Sequence, residues 1–188
     1  MKNNQLIWAK TLLNAYKYLG ALCGAIDKLV DSTAKNSFFA SGIWSEENSI
    51  VNVSKKIMYL TNKKVDYINL KVIVEKAISS MNKISAKIIV LKYIKGIDSE
   101  TIAKLNNMSL RSCFRRAKNA LSEFVLYMKK IGYTAEKIEI NFCRDPFVQS
   151  VYSGIKALDQ DDSIQTESLL TSKAFTDCVK TFNFGYAS

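Results

Sequence analysis

Histidine is absent from this 188-residue chain, proline occurs once and glycine seven times. Without an imidazole there is no Ser-His-Asp or Cys-His catalysis, no imidazole general base and little basis for a transition-metal site. An enzyme would have to work with carboxylates alone. The one acidic cluster, Asp159, Asp161 and Asp162, reads as a solvated turn or a helix start. The expectation is therefore no enzyme, no cofactor and no bound metal. Scarce proline and glycine also remove the turn residues that a sandwich or barrel requires, while abundant Lys, Leu, Ile, Ala and Asn favour a mainly α fold.

Cys23, Cys113, Cys143 and Cys178 are scattered and form no CxxC pair, so they read as buried or incidental thiols of a reducing cytoplasm. Long hydrophobic runs are missing too. LIWAKTLLNAYKYLGALCGAI, near the amino terminus, is broken by Lys10, Asn14 and Lys17 well short of a membrane span, and Leu22 is bulkier than a lipoprotein cleavage site wants. The expected protein is cytoplasmic and makes no use of a membrane.

What is present is a core-forming composition, 48% hydrophobic, under a formal charge of +10 that is unevenly placed. Residues 1–82 carry 11 basic against 6 acidic side chains, residues 83–131 carry 11 against 3, and residues 132–188 carry 5 against 8. A basic centre of this kind is the footprint of a nucleic-acid partner, whereas the lysine-only first third reads as solvated surface. Arginine sharpens the point. Three of the four in the chain, Arg111, Arg115 and Arg116, fall within six residues.

Those arginines lie in SLRSCFRRAKNAL, residues 109–121. On a helix, Cys113, Ala117, Ala120 and Phe124 recur on one face, while Arg111, Arg115, Lys118 and Ser122 recur with the same spacing on another. One face suits burial and the other suits something negative.

Three regions follow from the pattern. Residues 1–83 form a helical module. A long amphipathic helix runs over 5–31, SFFASGIWS at 37–45 breaks the pattern, Ser45 with Glu46 and Glu47 caps a second helix through Leu60, and a third spans 66–82. This module serves equally well as a plain scaffold or as a dimerisation unit, which would make the protein a homodimer. Residues 84–131 hold three helices, 85–94, 98–106 and 109 to about 130. Ser85, Asp98 and Ser109 are their expected caps, Gly96 ends the first, and Asn106-Asn107 fills the turn before the last, where asparagine tolerates a left-handed backbone. This is the layout of a helix-turn-helix. Residues 132–188 form a small carboxy-terminal extension of α+β character: EKIEINF alternates like a strand, Pro146 opens a helix to Leu158, and a weak helical pattern covers 165–181.

Residues 88–124, IIVLKYIKGIDSETIAKLNNMSLRSCFRRAKNALSEF, resemble the helix-turn-helix of sigma-factor region four. They look more closely like the ArpU-type phage and prophage transcription regulators of low-GC Gram-positive bacteria. The resemblance rests on LKY-x-x-G-I at 91–97, on Ile102-Ala103, and on the S-x-x-S-x-F-R-R-x-K-x-A-L string from Ser109. Asn106 stands at a place usually apolar in that motif, Asn107 replaces its turn glycine, and Cys113 and Ala117 are smaller than its usual core residues. The carboxy-terminal 57 residues have no counterpart in it.

The resemblance implies that the helix from Ser109 enters the major groove of double-stranded DNA. Resemblance and helix phase together nominate Leu110, Arg111, Phe114 and Arg115 for base edges. Ser109, Ser112, Arg116 and Lys118, with Lys104 and Lys95, are nominated for phosphates. The expected function is sequence-specific transcription regulation, phage or prophage encoded, with RNA polymerase as a further partner that the sigma-like motif raises. Two alternatives belong to other classes: a DNA-packaging component similar to a small terminase subunit, and a protein-interaction module whose basic helix meets an acidic partner.

Overall fold

The computed structural model describes residues 2–40, 47–158 and 164–184, with side chains over most of these spans. Among the described residues all regular structure is helical: α1 (Lys2–Ala40), α2 (Glu47–Ser79), α3 (Lys83–Ile89), α4 (Ser99–Leu105), α5 (Leu110–Lys130), α6 (Ala135–Phe142), α7 (Pro146–Leu158) and α8 (Ile164–Phe184). A π-helical turn, Val90–Ile94, extends α3. The expected mainly α fold is what forms.

The core is built on α1. Trp8, Leu12, Leu13, Ala15, Leu19, Leu22 and Ile26 are buried at helical spacing, and α2, α5, α7 and α8 pack around them. Two polar residues share this buried stripe with their side chains hydrogen-bonded to the helix's own backbone. Thr11 donates its hydroxyl to the Ile7 carbonyl at 2.9 Å, and Asn14 donates its amide to the Lys10 carbonyl at 3.0 Å. Trp8 stacks on Tyr152 of α7 with ring centroids 4.2 Å apart, and Tyr18 stacks on Phe175 of α8 at 5.0 Å. The carboxy-terminal helices therefore close over the first helix, and one hydrophobic cluster runs from Ile7 to Cys178.

Three expectations change. The two helices anticipated over 45–60 and 66–82 are one, α2, because no glycine or proline interrupts it and Leu60, Tyr67, Leu70, Val74 and Ala77 continue a single buried stripe. Its expected cap, Ser45, lies outside the described residues, as do residues 41–44 and the Asp159–Asp162 cluster; residues 37–40 belong to α1. The strand-like EKIEINF is α6: Thr134 caps it by accepting from the Lys137 amide, and Ala135, Ile138 and Phe142 are buried at helical spacing while Ile140 is 74% exposed. Helix α3 is capped three residues earlier than read. Asn82, not Ser85, is its cap, with its side chain accepting from the Ile84 amide at 2.9 Å and its own amide donating to Glu123 of α5 at 2.8 Å.

Asp145, just before α7, accepts from the Val148 amide at 2.9 Å and is buried. Lys63 of α2 answers it at 3.0 Å. Burial alone would lower the Lys63 pKa, but the Asp145 charge and hydrogen bond outweigh burial and raise it. Nearby, burial and the same carboxylate push the Cys178 thiol from its ordinary 9.0 to about 11 and drive the Tyr67 phenol upward as well. All three groups hold their protons more tightly folded than unfolded, so their stability contribution is complete below the unfolded values and is lost as pH rises through the folded ones. Urea midpoints should stay level from about pH 7 to 8.5 and fall from about pH 9 upward. Cys178→Ala should flatten the first part of that fall.

Candidate nucleic-acid interface

The candidate interface is assembled by two turns and one long helix. Gly96, at φ +68°, reverses the chain after the π turn, and the Ile97 amide reaches back to the Leu91 carbonyl at 2.9 Å. Asp98 then caps α4, accepting from both the hydroxyl and the amide of Thr101 at 2.6 and 2.8 Å; these bonds hold its carboxyl below the usual range. Helix α4 ends in a Schellman turn: the Met108 amide bonds the Ala103 carbonyl at 3.0 Å and the Asn107 amide bonds the Lys104 carbonyl at 3.2 Å. Asn107 takes the left-handed position at φ +48°, as its placement implied. Asn106, in the place usually apolar, ties its amide to the Ile102 carbonyl at 2.7 Å and stays half-buried.

Ser109 caps α5, which runs for 21 residues, about 32 Å at helical rise. The two ends of this helix sit in different cores. Its first turns place Cys113 against Ile102 and Ala103, with Leu91, Ile97 and Met108 packed around them. Further along, Ala120, Leu121, Phe124 and Met128 join the main cluster. The small side chains at 113 and 117 are both buried, so α4 and α5 meet closely. Burial raises the Cys113 thiol pKa and Lys92 opposes it; the net shift upward keeps the thiol protonated and unreactive.

On the opposite face, Arg111, Arg115, Lys118 and Ser122 are all exposed, with Arg116 beside them. Lys63–Asp145, Lys64–Asp27 and Lys104–Glu100 are ion-paired, and among the described residues no ion pair engages these four cations. Leu110 and Phe114 stand one turn apart on the same helix, both nearly half-exposed. Lys95, beside Gly96, is exposed, and Lys104 is exposed but turned to Glu100 at 2.9 Å; a pair so open to solvent exchanges readily. Ser109 donates to the Ser112 oxygen at 3.0 Å and accepts from the Ser112 amide at 3.3 Å, so its hydroxyl serves the cap first.

Sequence reasoning missed Lys92. Its ammonium lies 5.7 Å from the centroid of the Phe114 ring and 5.6 Å from that of Tyr93, which brings a further positive charge onto the exposed aromatic of α5. No periodicity within one helix signals a contact between segments 22 residues apart. Leu105, exposed beside the turn, was also passed over.

Among the described residues no group of three or more His, Cys, Asp or Glu side chains could hold a metal ion, and no helix is long and apolar enough to cross a membrane. No family model, curated protein or solved structure matches the chain.

Proposed function

We propose that this protein is a sequence-specific, double-stranded DNA-binding transcription regulator, of phage or prophage origin and acting in the cytoplasm, that lays the amino-terminal half of α5 in the major groove. The observation that supports this reading is a helix start that is capped, buried on one side by Cys113 and Ala117, and lined on the other by unengaged arginines and a lysine. A guanidinium reaches the two acceptors of guanine in bidentate fashion, and an apolar side chain meets the thymine methyl. Arg111 and Arg115 take the first role, Leu110 and Phe114 the second. Arg116, Lys118 and Ser112 position the helix on phosphates, with Lys95, Lys104 and Ser109 at its margins. RNA polymerase is a further partner in this proposal because the motif is sigma-like.

The test is a binding titration on selected and scrambled duplexes over a range of salt. Wild type should hold the selected duplex far more tightly at every salt concentration. Lys118→Ala should weaken both duplexes alike and reduce the salt slope by about one unit, as the loss of a single phosphate contact does. Equal wild-type affinity for both duplexes would remove the regulator reading.

A further inference from the structure

Helix α2 is apolar on two faces. Leu60, Tyr67, Leu70, Val74 and Ala77 enter the protein's own core, yet Val51, Met58, Val65, Ile68 and Val72 are between 40% and 62% exposed. Val51, Met58, Val65 and Val72 recur every seven residues, the spacing of a coiled-coil seam. At 100° per residue, the stripe within about 60° of this line also holds Ser54, Lys55, Thr61, Asn62, Ile68 and Asn69. Between residues 51 and 72 Lys55, at the edge of the stripe, is the single charged residue on it. A stripe about 32 Å long that carries four exposed apolar residues in heptad register and one charge at its edge is a surface that solvent does not favour.

We infer that this stripe pairs with the same stripe of a second copy of the chain, the two α2 helices running antiparallel about a two-fold axis near residues 61 and 62. Self-complementarity under a two-fold axis is what such an interface requires, and the stripe has it in the placement of its charges and apolar residues. Antiparallel register with Val51 opposite Val72 sets Met58 opposite Val65, Ser54 opposite Asn69 and Thr61 opposite Asn62. The same register sets position 47, a glutamate, opposite Lys76, and does so twice. No lysine of α2 then faces a lysine: Lys55 falls opposite Ile68, Lys64 opposite Tyr59 and Lys71 opposite Asn52. A parallel pairing in register would instead set Lys76 against Lys76 and glutamate against glutamate, which like-charge repulsion opposes. On the flanks, Lys64 is already held by Asp27 at 2.6 Å, and Glu75 accepts from the Tyr16 hydroxyl at 2.7 Å. Both are engaged within one protomer, which leaves the seam to its apolar layers. The inference is independent of what α5 binds.

Sedimentation equilibrium of the full chain, with and without substitutions in the seam, tests it. Wild type should show a monomer–dimer equilibrium, the larger species having twice the 21.2 kDa chain mass. Combining Met58→Glu with Val65→Glu places carboxylates in the central layers and should raise the dissociation constant by about 100-fold or more, with circular dichroism and the urea midpoint of the monomer unchanged because both side chains are exposed. Lys76→Glu alone should weaken the dimer by about tenfold, and adding Glu47→Lys should restore it to within about threefold. A wild type that stays monomeric to about 100 μM would overturn the inference. So would a double carboxylate variant that dimerises like wild type, or a Lys76→Glu loss that Glu47→Lys does not repair.

Discussion

Arg115→Ala is expected to weaken binding to the preferred duplex by about 1–3 kcal/mol, roughly 5- to 150-fold, and to relax preference at one base position. The expectation follows from where α5 puts this side chain. Arg115 is exposed one helical turn beyond Arg111, no carboxylate among the described residues occupies it, and Cys113 and Ala117 hold the helix beneath it. A side chain that touches only phosphate would weaken every duplex equally; one that reads a base weakens the right duplex most. Selection with the variant and comparison of the two recovered motifs separates these outcomes. An unchanged motif with unchanged affinity would put the recognition face elsewhere on the protein.

Phe124→Ala is expected to cost about 3–5 kcal/mol of stability, read as a fall in urea midpoint at constant m-value. Phe124 is fully buried where α5 enters the main cluster, some 20 Å along the helix from Arg111 at helical rise. It is the anchor that fixes the far end of the same helix whose near end is proposed to meet DNA. Phe114 provides the contrast. Nearly half-exposed and covered on one side by Lys92, its replacement by alanine should move the urea midpoint by no more than about 0.5 kcal/mol of stability while reducing affinity for the preferred duplex. Two phenylalanines ten residues apart thus carry separable burdens, one holding the helix and one facing outward.

Helix α5 was legible because its apolar and basic residues keep one period over four turns. Cys113, Ala117, Ala120 and Phe124 are buried and Arg111, Arg115, Lys118 and Ser122 exposed, as the spacing required. The turn before it was legible through chemistry that only a few residues supply, with Asn107 taking the left-handed backbone. Other elements were hidden for physical reasons. In α2 the apolar residues lie on two faces, so the period of the buried face is blurred by that of the exposed one, and the helix reads as two shorter pieces. In α6 the run Ile138, Ile140, Phe142 fits a strand as well as a helix over so short a span. Only tertiary packing, which buries Ile138 and Phe142 and leaves Ile140 in solvent, decides between them. The Lys63–Asp145 pair and the Lys92–Phe114 contact join residues far apart in the chain, and nothing local announces either.

A dimer formed through α2 would carry two copies of α5, and two-fold helix-turn-helix proteins meet half-sites about 34 Å apart. Symmetry in the bound DNA would then be a property of α2, whereas base preference would belong to α5. Met58→Glu with Val65→Glu should abolish the first and keep the second.

The most direct test of the central claim is selection of bound duplexes from a random library with the full wild-type chain, followed by titration of the best duplex and a scrambled one at matched salt. The expected result is a defined motif bound about 10³-fold or more tightly than the scrambled duplex, with the difference surviving as salt rises. Recovery of no motif, with all duplexes bound alike and released together by salt, would contradict it and leave the basic face of α5 as an electrostatic surface only.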